Sequence, residues 1–458
     1  MTLAKRLLLG SAAAVVATTG AQAADLGLPV APAVDYVQIC SIGSFTGFIL
    51  PGSDVCFDIS GLARFQANFG SGLDYTSNSP SFDSLWGRDD VDFVSEVELN
   101  FDARTMTEWG LLRGFVRLGA DAEGEDYGLN VVKAFVQVGG FTAGLTDSFF
   151  DPVYTDYAGA SLGGGFGPSD DLTLFGYSFA VGNGVTLSAS IEDNDGNSRY
   201  AGIGFVDANG GLLTGTGAAV VLGTNGSGNF QDTENGFALV AAVRVDQAWG
   251  SAKVAGAITE VDVDNTLLTT NGPLPLAADD TEIGYAVQAS AEFNIPVGMG
   301  STFGLHAIYT DGALSYAGLG GVAVASTATT SIDLGMDAII SSTGALQTTQ
   351  AYSLGAGFDI GLTNMISAQL DGYYADVDHG AAIGAVGDYN VMGLRGSITY
   401  VPVSGLSIIA GVGYTAYDFD NTTAVTTGLA ASPTVVDTVD DIFEDDAFSA
   451  RLRITRSF

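Results

Sequence analysis

The chain has 458 residues, 47% of them hydrophobic and only 15% charged, yet its formal net charge is −37. That hydrophobicity excludes a disordered chain, and the acidity argues against binding nucleic acid. Past the first two dozen residues no apolar run reaches eighteen, so no membrane helix is predicted, and two classes remain: a large water-soluble β-protein, or a closed barrel that crosses a bilayer with strands.

The N-terminus reads as an export signal. Lys5 and Arg6 precede an apolar run, Leu7–Ala17, too short to span a bilayer, and Ala21–Ala23 has the small-residue pattern of a cleavage site. Residues 1–23 are therefore expected to be a signal peptide, with Ala24 the first mature residue. Their removal leaves 13 basic against 52 acidic residues, a net −39. Residues 24–56 are expected to form an N-terminal periplasmic segment. They hold Cys40 and Cys56, the only two cysteines, both ahead of the first predicted strand. An oxidising compartment favours a disulfide between them, worth about 3 kcal/mol for a loop of about 15 residues, which would pin the segment near the periplasmic rim or the barrel mouth. Free thiols are the alternative; metal binding is the poorer one, because His306 and His379 lie far off in sequence.

From residue 57 to 458 the chain alternates at period two. In Phe57–Phe69 the residues Phe57, Ile59, Ala63, Phe65, Ala67 and Phe69 oppose Asp58, Ser60, Arg64, Gln66 and Asn68, with Leu62 the exception. Val91–Ala103, Ile283–Asn294 and Phe448–Phe458 repeat the pattern. Short connections are read at Arg104–Gly110, Gly139–Gly140, Gly182–Gly184, Asp246–Gly250, Pro296–Gly300, Gly361–Asn364 and Pro402–Gly405, with long polar loops between them, among them Asn194–Gly236 and Asp311–Gln350. About sixteen strands of roughly ten residues result, a transmembrane antiparallel β-barrel with short periplasmic turns and long extracellular loops. Hydrocarbon forbids an open sheet edge, so the strand ending at Phe458 must pair with the one starting near Phe57. A barrel of this size leaves an aqueous lumen.

Charge supports this phase. Arg64, Arg104, Arg113, Arg117, Lys133, Arg244, Lys253, Arg395, Arg451 and Arg453 all fall in the polar phase of their strands. A lipid-facing Arg or Lys at mid-bilayer would cost about 2–4 kcal/mol. Arg88 and Arg199 lie in loops, and Arg456 falls in the lipid phase two residues from the end. Arg64, Arg104, Arg113, Arg117 and Lys133 lie on the first four strands and are expected to form a basic ladder on one wall. The segment Asp147–Asp171, the third long loop, carries Asp147, Asp151, Asp156, Asp170 and Asp171 with Phe149, Phe150, Tyr154 and Tyr157. It is expected to fold inward, aromatics on the wall and carboxylates toward the ladder, narrowing the pore; an outward surface loop is the alternative.

Several stretches resemble the general porins of alphaproteobacteria, the rhizobial and brucella type. They are Tyr36–Gly61, Leu111–Asp121 ("LLRGFVRLGAD"), Ala134–Pro152 ("AFVQVGGFTAGLTDSFFDP"), Arg244–Ile258, Tyr309–Tyr316 and Arg451–Phe458 ("RLRITRSF"), and they span nearly the whole mature chain. The resemblance implies a sixteen-stranded outer-membrane barrel, a homotrimer, passive diffusion of ions and small hydrophilic solutes, and a constricting third loop. Members of that family often carry Arg just after the "FTAG" element, where Leu145 stands here, and the loops of this chain are more acidic.

The C-terminal strand, with Phe448, Ala450, Leu452 and Ile454 alternating toward Phe458, resembles the signal read by the barrel-assembly machinery. Outer membrane lipid and lipopolysaccharide are the expected surroundings. No catalytic residue, cofactor or metal is expected. His306 and His379 stand alone, no G-x-S-x-G element precedes a helix, and "DNDGN" (Asp193–Asn197) lacks the glutamate of a calcium loop. The acidic run Val436–Phe448 reads as a solvated loop, with gathering of divalent cations at the lipopolysaccharide surface as the alternative. A water-filled porin with weak cation preference is expected, the preference arising from the net charge at the mouths. The competing reading is a plugged structural or adhesin-type barrel acting through its extracellular loops.

Overall fold

The computed structural model describes residues 38–71, 89–123, 126–158, 167–168, 171–194, 203–206, 212–213, 236–262, 281–319, 323–327, 330–333, 335–340, 345–380, 388–419, 426–427, 434–435 and 446–458. Residues 1–23, expected to be a signal peptide, Asp170, and most of "DNDGN" and of the acidic run 436–448 lie outside the described residues. Two short strands come first, β1 (Ile39–Ile42) and β2 (Phe45–Ile49). The barrel then begins with β3 (Cys56–Ser71), β4 (Asp89–Thr107), β5 (Gly110–Glu123), β6 (Asp126–Val138), β7 (Phe141–Asp147), β8 (Asp171–Gly182) and β9 (Val185–Asp193). It continues with β10 (Phe237–Gln247), β11 (Gly250–Asp262), β12 (Thr281–Ile295), β13 (Ser301–Asp311) and β14 (Gln350–Gly361). It ends with β15 (Ile366–Asp378), β16 (Tyr389–Val403), β17 (Leu406–Phe419) and β18 (Asp446–Ser457).

Each strand from β3 to β18 pairs antiparallel with its neighbour in the chain, and β18 returns to β3 in the register Leu452↔Ala67 and Arg453↔Gln66. The sixteen-strand barrel is therefore closed. No helix among the described residues is long and apolar enough to cross a membrane; the chain crosses with strands. Closure follows from backbone chemistry, since an unpaired strand edge has no hydrogen-bond partner in hydrocarbon. The outward phase is apolar and exposed, as at Phe65, Phe69, Phe93, Val116, Leu239, Ile258, Val287, Leu354 and Ile398. Exposed apolar surface on this scale needs lipid rather than water.

The seven short connections stand at one rim. Asn183 (φ 52°) and Gly184 (φ 75°) both take the left-handed region, as a two-residue hairpin turn requires, which explains the Asn-Gly pair there. Arg456 exposes its side chain at this rim and donates to the Ser404 carbonyl at 2.9 Å, so its lipid-phase position falls beyond the costly midplane.

The structure departs from the expected strand plan in three places. The turn expected at Arg104–Gly110 is tighter, because β4 continues to Thr107 and carries Arg104 directly opposite Arg113. The second long loop is absent: β5 and β6 meet across residues 124–125, with Glu123 opposite Asp126. Cys56 is the first residue of β3 rather than a residue before it, and Cys40 lies on the β1–β2 hairpin, an element that four- and five-residue strands give too little alternation to announce. Their disulfide is formed. The hairpin continues the sheet where the last strand stops: Phe458 exchanges backbone bonds with Gly61, and Phe48 and Ile49 then pair with Phe57 and Cys56.

The packed core lies inside the barrel and to one side. Inward positions of β10–β16 carry Ala238, Val240, Ala242, Ala255, Ala257, Ala286, Ile308, Ala351, Ala375, Val377 and Val391, and all are buried. What buries them is the connection from β13 to β14. It folds inward through a single 3₁₀ turn, Leu314–Ala317, with Leu314, Tyr316 and Leu319 wholly inaccessible. Ala338–Ile340 of the same connection pairs parallel with Ile203–Val206 of the β9–β10 connection, part of a small four-stranded sheet.

Candidate pore constriction

The wall formed by β18, β3, β4, β5 and β6 carries the basic ladder, and each member has an acidic or amide partner. Arg64 meets Glu96 at 2.5 Å. Arg104 and Arg113, opposite one another, share Asp102 at 2.7 and 2.9 Å. Arg117 donates to Asn100 at 2.8 Å and lies 3.7 Å from Glu98. Lys133 meets Asp147 at 2.6 Å and Asp171 at 3.1 Å. The geometry follows from sheet pairing: inward residues of neighbouring strands stand about 5 Å apart, so Glu96, Glu98, Asn100 and Asp102 on β4 interleave with cations on both sides. Apart from Asp102, which is buried, these side chains remain partly exposed on the inside. Arg104 also lies over the Phe45 ring of the N-terminal hairpin, 4.0 Å from its centroid, so the hairpin reaches the lumen beside the ladder.

The segment from Ser148 to Ala158 crosses the lumen and docks on the opposite wall. Its start is held by Glu192 of β9, which accepts from Ser148 Oγ at 2.6 Å and from the Phe149 amide at 2.8 Å. Lys253 Nζ donates to the Asp151 carbonyl at 2.6 Å, Gln288 Nε2 to the Phe150 carbonyl at 3.0 Å, and the Val153 amide to Ser290 Oγ at 3.0 Å. Its end is held by Asp371 of β15, which accepts from the Tyr154 hydroxyl at 2.6 Å, the Tyr157 amide at 3.0 Å and the Ala158 amide. His306 Nδ1 lies 3.2 Å from the Tyr154 carbonyl, which can only accept, so that nitrogen carries the proton. Buried carboxylates satisfied by several donors of one segment make a specific clamp.

Two glycines make room for it. A Cβ on Gly304 would stand 2.1 Å from the Tyr154 ring, and one on Gly357 2.2 Å from its hydroxyl. The two inward segments also meet, with Phe150 edge-on to Tyr316 at 4.9 Å between centroids. The half of the lumen along β10–β16 is thus filled from two directions, and the ladder faces the other half.

A family model described as "Porin subfamily" matches residues 28–439. The chain belongs to this porin family. Relatives of the porin include protein y4fJ of Sinorhizobium fredii, 37% identical over 150 residues, which are 32% of this chain and 43% of that one. Porin Omp2b of Brucella suis is 31% identical over 236 residues, 46% of this chain and 58% of that one. The chain thus spans about half the length of the curated relatives it matches. Among solved structures, the outer membrane channel DcaP of Acinetobacter baumannii superposes with a TM-score of 0.59 at 16% identity, over 90% of this chain and 99% of that one. That likeness concerns the fold. The family, the relatives and the closed barrel together place the porin in the bacterial outer membrane.

The fold brings Arg64, Arg104, Arg113, Arg117, Lys133, Asp147 and Asp171 of this porin onto one wall. Asp151 and Asp156 stand apart, half-buried in the crossing segment; the arginines of the ladder pair with β4 carboxylates, whereas Lys133 pairs with Asp147 and Asp171. His306, alone in its stretch of the sequence, is buried beneath Tyr154. Arg451 and Arg453 belong to the same wall, donating to Asn68 at 2.6 Å and Gln66 at 2.8 Å. Closure of the last strand onto the first carries that information. The docking groups Glu192, Asp371, Gly304 and Gly357 carry no local signal, because their role depends on a segment far away in the chain.

Proposed function

We propose that the protein is a passive-diffusion channel for ions and small hydrophilic solutes, working as a homotrimer, and that it is a channel rather than an enzyme. The observation that carries this is the closed barrel whose one inner wall keeps partly exposed ion pairs, Arg64–Glu96, Arg113–Asp102 and Lys133–Asp147, opposite a segment clamped across the lumen. Such a wall offers water and charge along the whole passage, and no covalent step is needed. We read the constriction as Arg64, Arg104, Arg113, Arg117 and Lys133 together with the carboxylates Asp147, Asp151, Asp156, Asp170 and Asp171. Residues 24–56 are the periplasmic segment of this reading, and the terminal strand ending at Phe458 is the part addressed by the assembly machinery.

Weak cation preference belongs to the same proposal. Carboxylates of the wall offset its cations in part, and the net −39 of the mature chain acts at the mouths. A measurement in planar bilayers tests all of this: openings in threes, with a reversal potential in a salt gradient of the sign for cations. An anion-selective reversal potential removes the preference and leaves the channel standing. The inward-folded β13–β14 connection favours a second reading, a plugged barrel acting through its loops; correctly inserted protein that leaves the bilayer silent would establish that one instead.

A further inference from the structure

Between the crossing segment and the wall of β6–β11 lies a bay of about 550 Å³, open to the lumen. Its wall differs in kind from the basic ladder. Inward positions of β7, β8 and β9 carry hydroxyls: Thr142 near the short turn and Thr146 toward the other end of β7, Ser178, then Thr186 and Ser188. Ser178 and Ser188 bond each other at 2.9 Å and Thr142 accepts from Gln137 at 3.2 Å, so each hydroxyl keeps further capacity. Phe149 closes it from the side of the crossing segment, and its ring rests where a Cβ on Gly176 would stand 2.6 Å away. The charged groups around the bay, Arg244, Lys253, Asp147 and Asp151, all have partners. Arg244 holds Asp246 through two nitrogens, at 2.9 to 3.0 Å, and Lys253 donates to the Asp151 carbonyl. Asp147 holds Lys133.

The bay therefore presents neutral groups that both donate and accept, beside one aromatic ring. Anions or cations would need an unengaged counter-charge. A sugar or sugar alcohol needs what is here: its neighbouring hydroxyls also donate and accept, and its C–H face suits an aromatic surface. We propose that this bay is a transient binding site for neutral polyhydroxyl solutes of monosaccharide size, resting on the diffusion reading above. Five hydroxyls on three adjacent strands form a lattice with the spacing of the sheet, so a ring-shaped polyol meets several of them at once.

Single-channel current with glucose or sorbitol added, against glycine betaine, a zwitterion of zero net charge without hydroxyls, tests it. Glucose and sorbitol should lower the current saturably, whereas betaine lowers it only in proportion to concentration. Thr142→Val with Ser188→Ala removes two hydroxyls and should raise the half-saturating glucose concentration about tenfold, as two lost hydrogen bonds of about 0.7 kcal/mol each imply. If the double variant does not insert, Ser188→Ala alone should raise it about threefold on the same basis. Glucose and betaine behaving alike in the wild type, or variants with unchanged half-saturation, would overturn the site while leaving the channel intact. Protein that inserts without conducting would overturn the channel reading and this inference together.

Discussion

At the scale of residues, Asp102 shows how the ladder is balanced. Arg104 and Arg113 face each other across β4 and β5 in direct register, a like-charge arrangement that opposes pairing unless a carboxylate stands between them. Asp102 is that carboxylate, with Arg side chains on both sides. Replacing it as Asp102→Asn keeps the shape and removes the charge. We expect the reversal potential to move toward anions and stability to fall by about 1.5–3 kcal/mol, the range for hydrogen bonds to a charged group, since Asp102 itself is buried. Neutralising Arg113 and Arg117 together should move the reversal potential the other way. A reversal potential unmoved by both changes would take these residues out of the passage.

Tyr154 makes the residue-scale case for the clamp. Its burial, and then its hydrogen bond to Asp371, raise the hydroxyl pKa well above the usual tyrosine range. The folded chain keeps a proton that the unfolded chain releases near pH 10, so the clamp's contribution is complete below that pH and is lost as pH rises further. Channel current should thus stay quiet up to about pH 10 as far as this clamp is concerned. Tyr154→Phe keeps the ring, loses the bond worth about 1 kcal/mol, and should increase current noise. Gly304→Ala should do more, because its methyl would occupy the ring's place.

At the scale of elements, the period-two pattern made the strands and the short turns legible, because one face meets lipid and the other water. The same logic explains what was not legible. The sequence "FALVAAV" of β10 is apolar on both faces, so its phase carries no contrast. Small Ala and Val on the inward face mean that protein packs there, yet nothing local says which protein. The answer is Leu314, Tyr316 and Leu319, some seventy residues later, in a stretch without periodicity. The N-terminal hairpin was hidden for a different reason: its few residues take their place from a strand end and a disulfide. Opening that disulfide as Cys40→Ser with Cys56→Ser should cost about 3 kcal/mol of hairpin stability, spanning 16 residues of separation. Protease added to the short-turn side should then cut between residues 43 and 55, while the barrel keeps its resistance to unfolding in detergent. Equal cutting before and after would mean that pairing with β3 alone holds the hairpin.

At the scale of the whole molecule, the lumen is asymmetric. One half is packed with Phe150, Tyr154, Leu314 and Tyr316 against β10–β16, and the other keeps the ladder and the hydroxyl bay. A barrel this wide with only one crossing segment would be more open. The second inward connection therefore sets how much of the cross-section is left unfilled. Tyr316→Ala removes the ring that Phe150 packs against and leaves a cavity among Leu314, Leu319 and Ile339, at a cost of about 3–5 kcal/mol to the packing of that connection. The barrel strands do not depend on it, since their own pairing is unbroken. We expect correctly inserted barrels with larger and noisier single-channel current, and exclusion of solutes at a greater size. The two segments touch, so the same change should loosen the crossing segment and weaken glucose block, coupling pore size to the bay. Larger current with unchanged glucose block would show that the clamps at Glu192 and Asp371 hold the crossing segment without help from Tyr316. Unchanged current would place the connection outside the conducting path and return the size limit to the crossing segment alone.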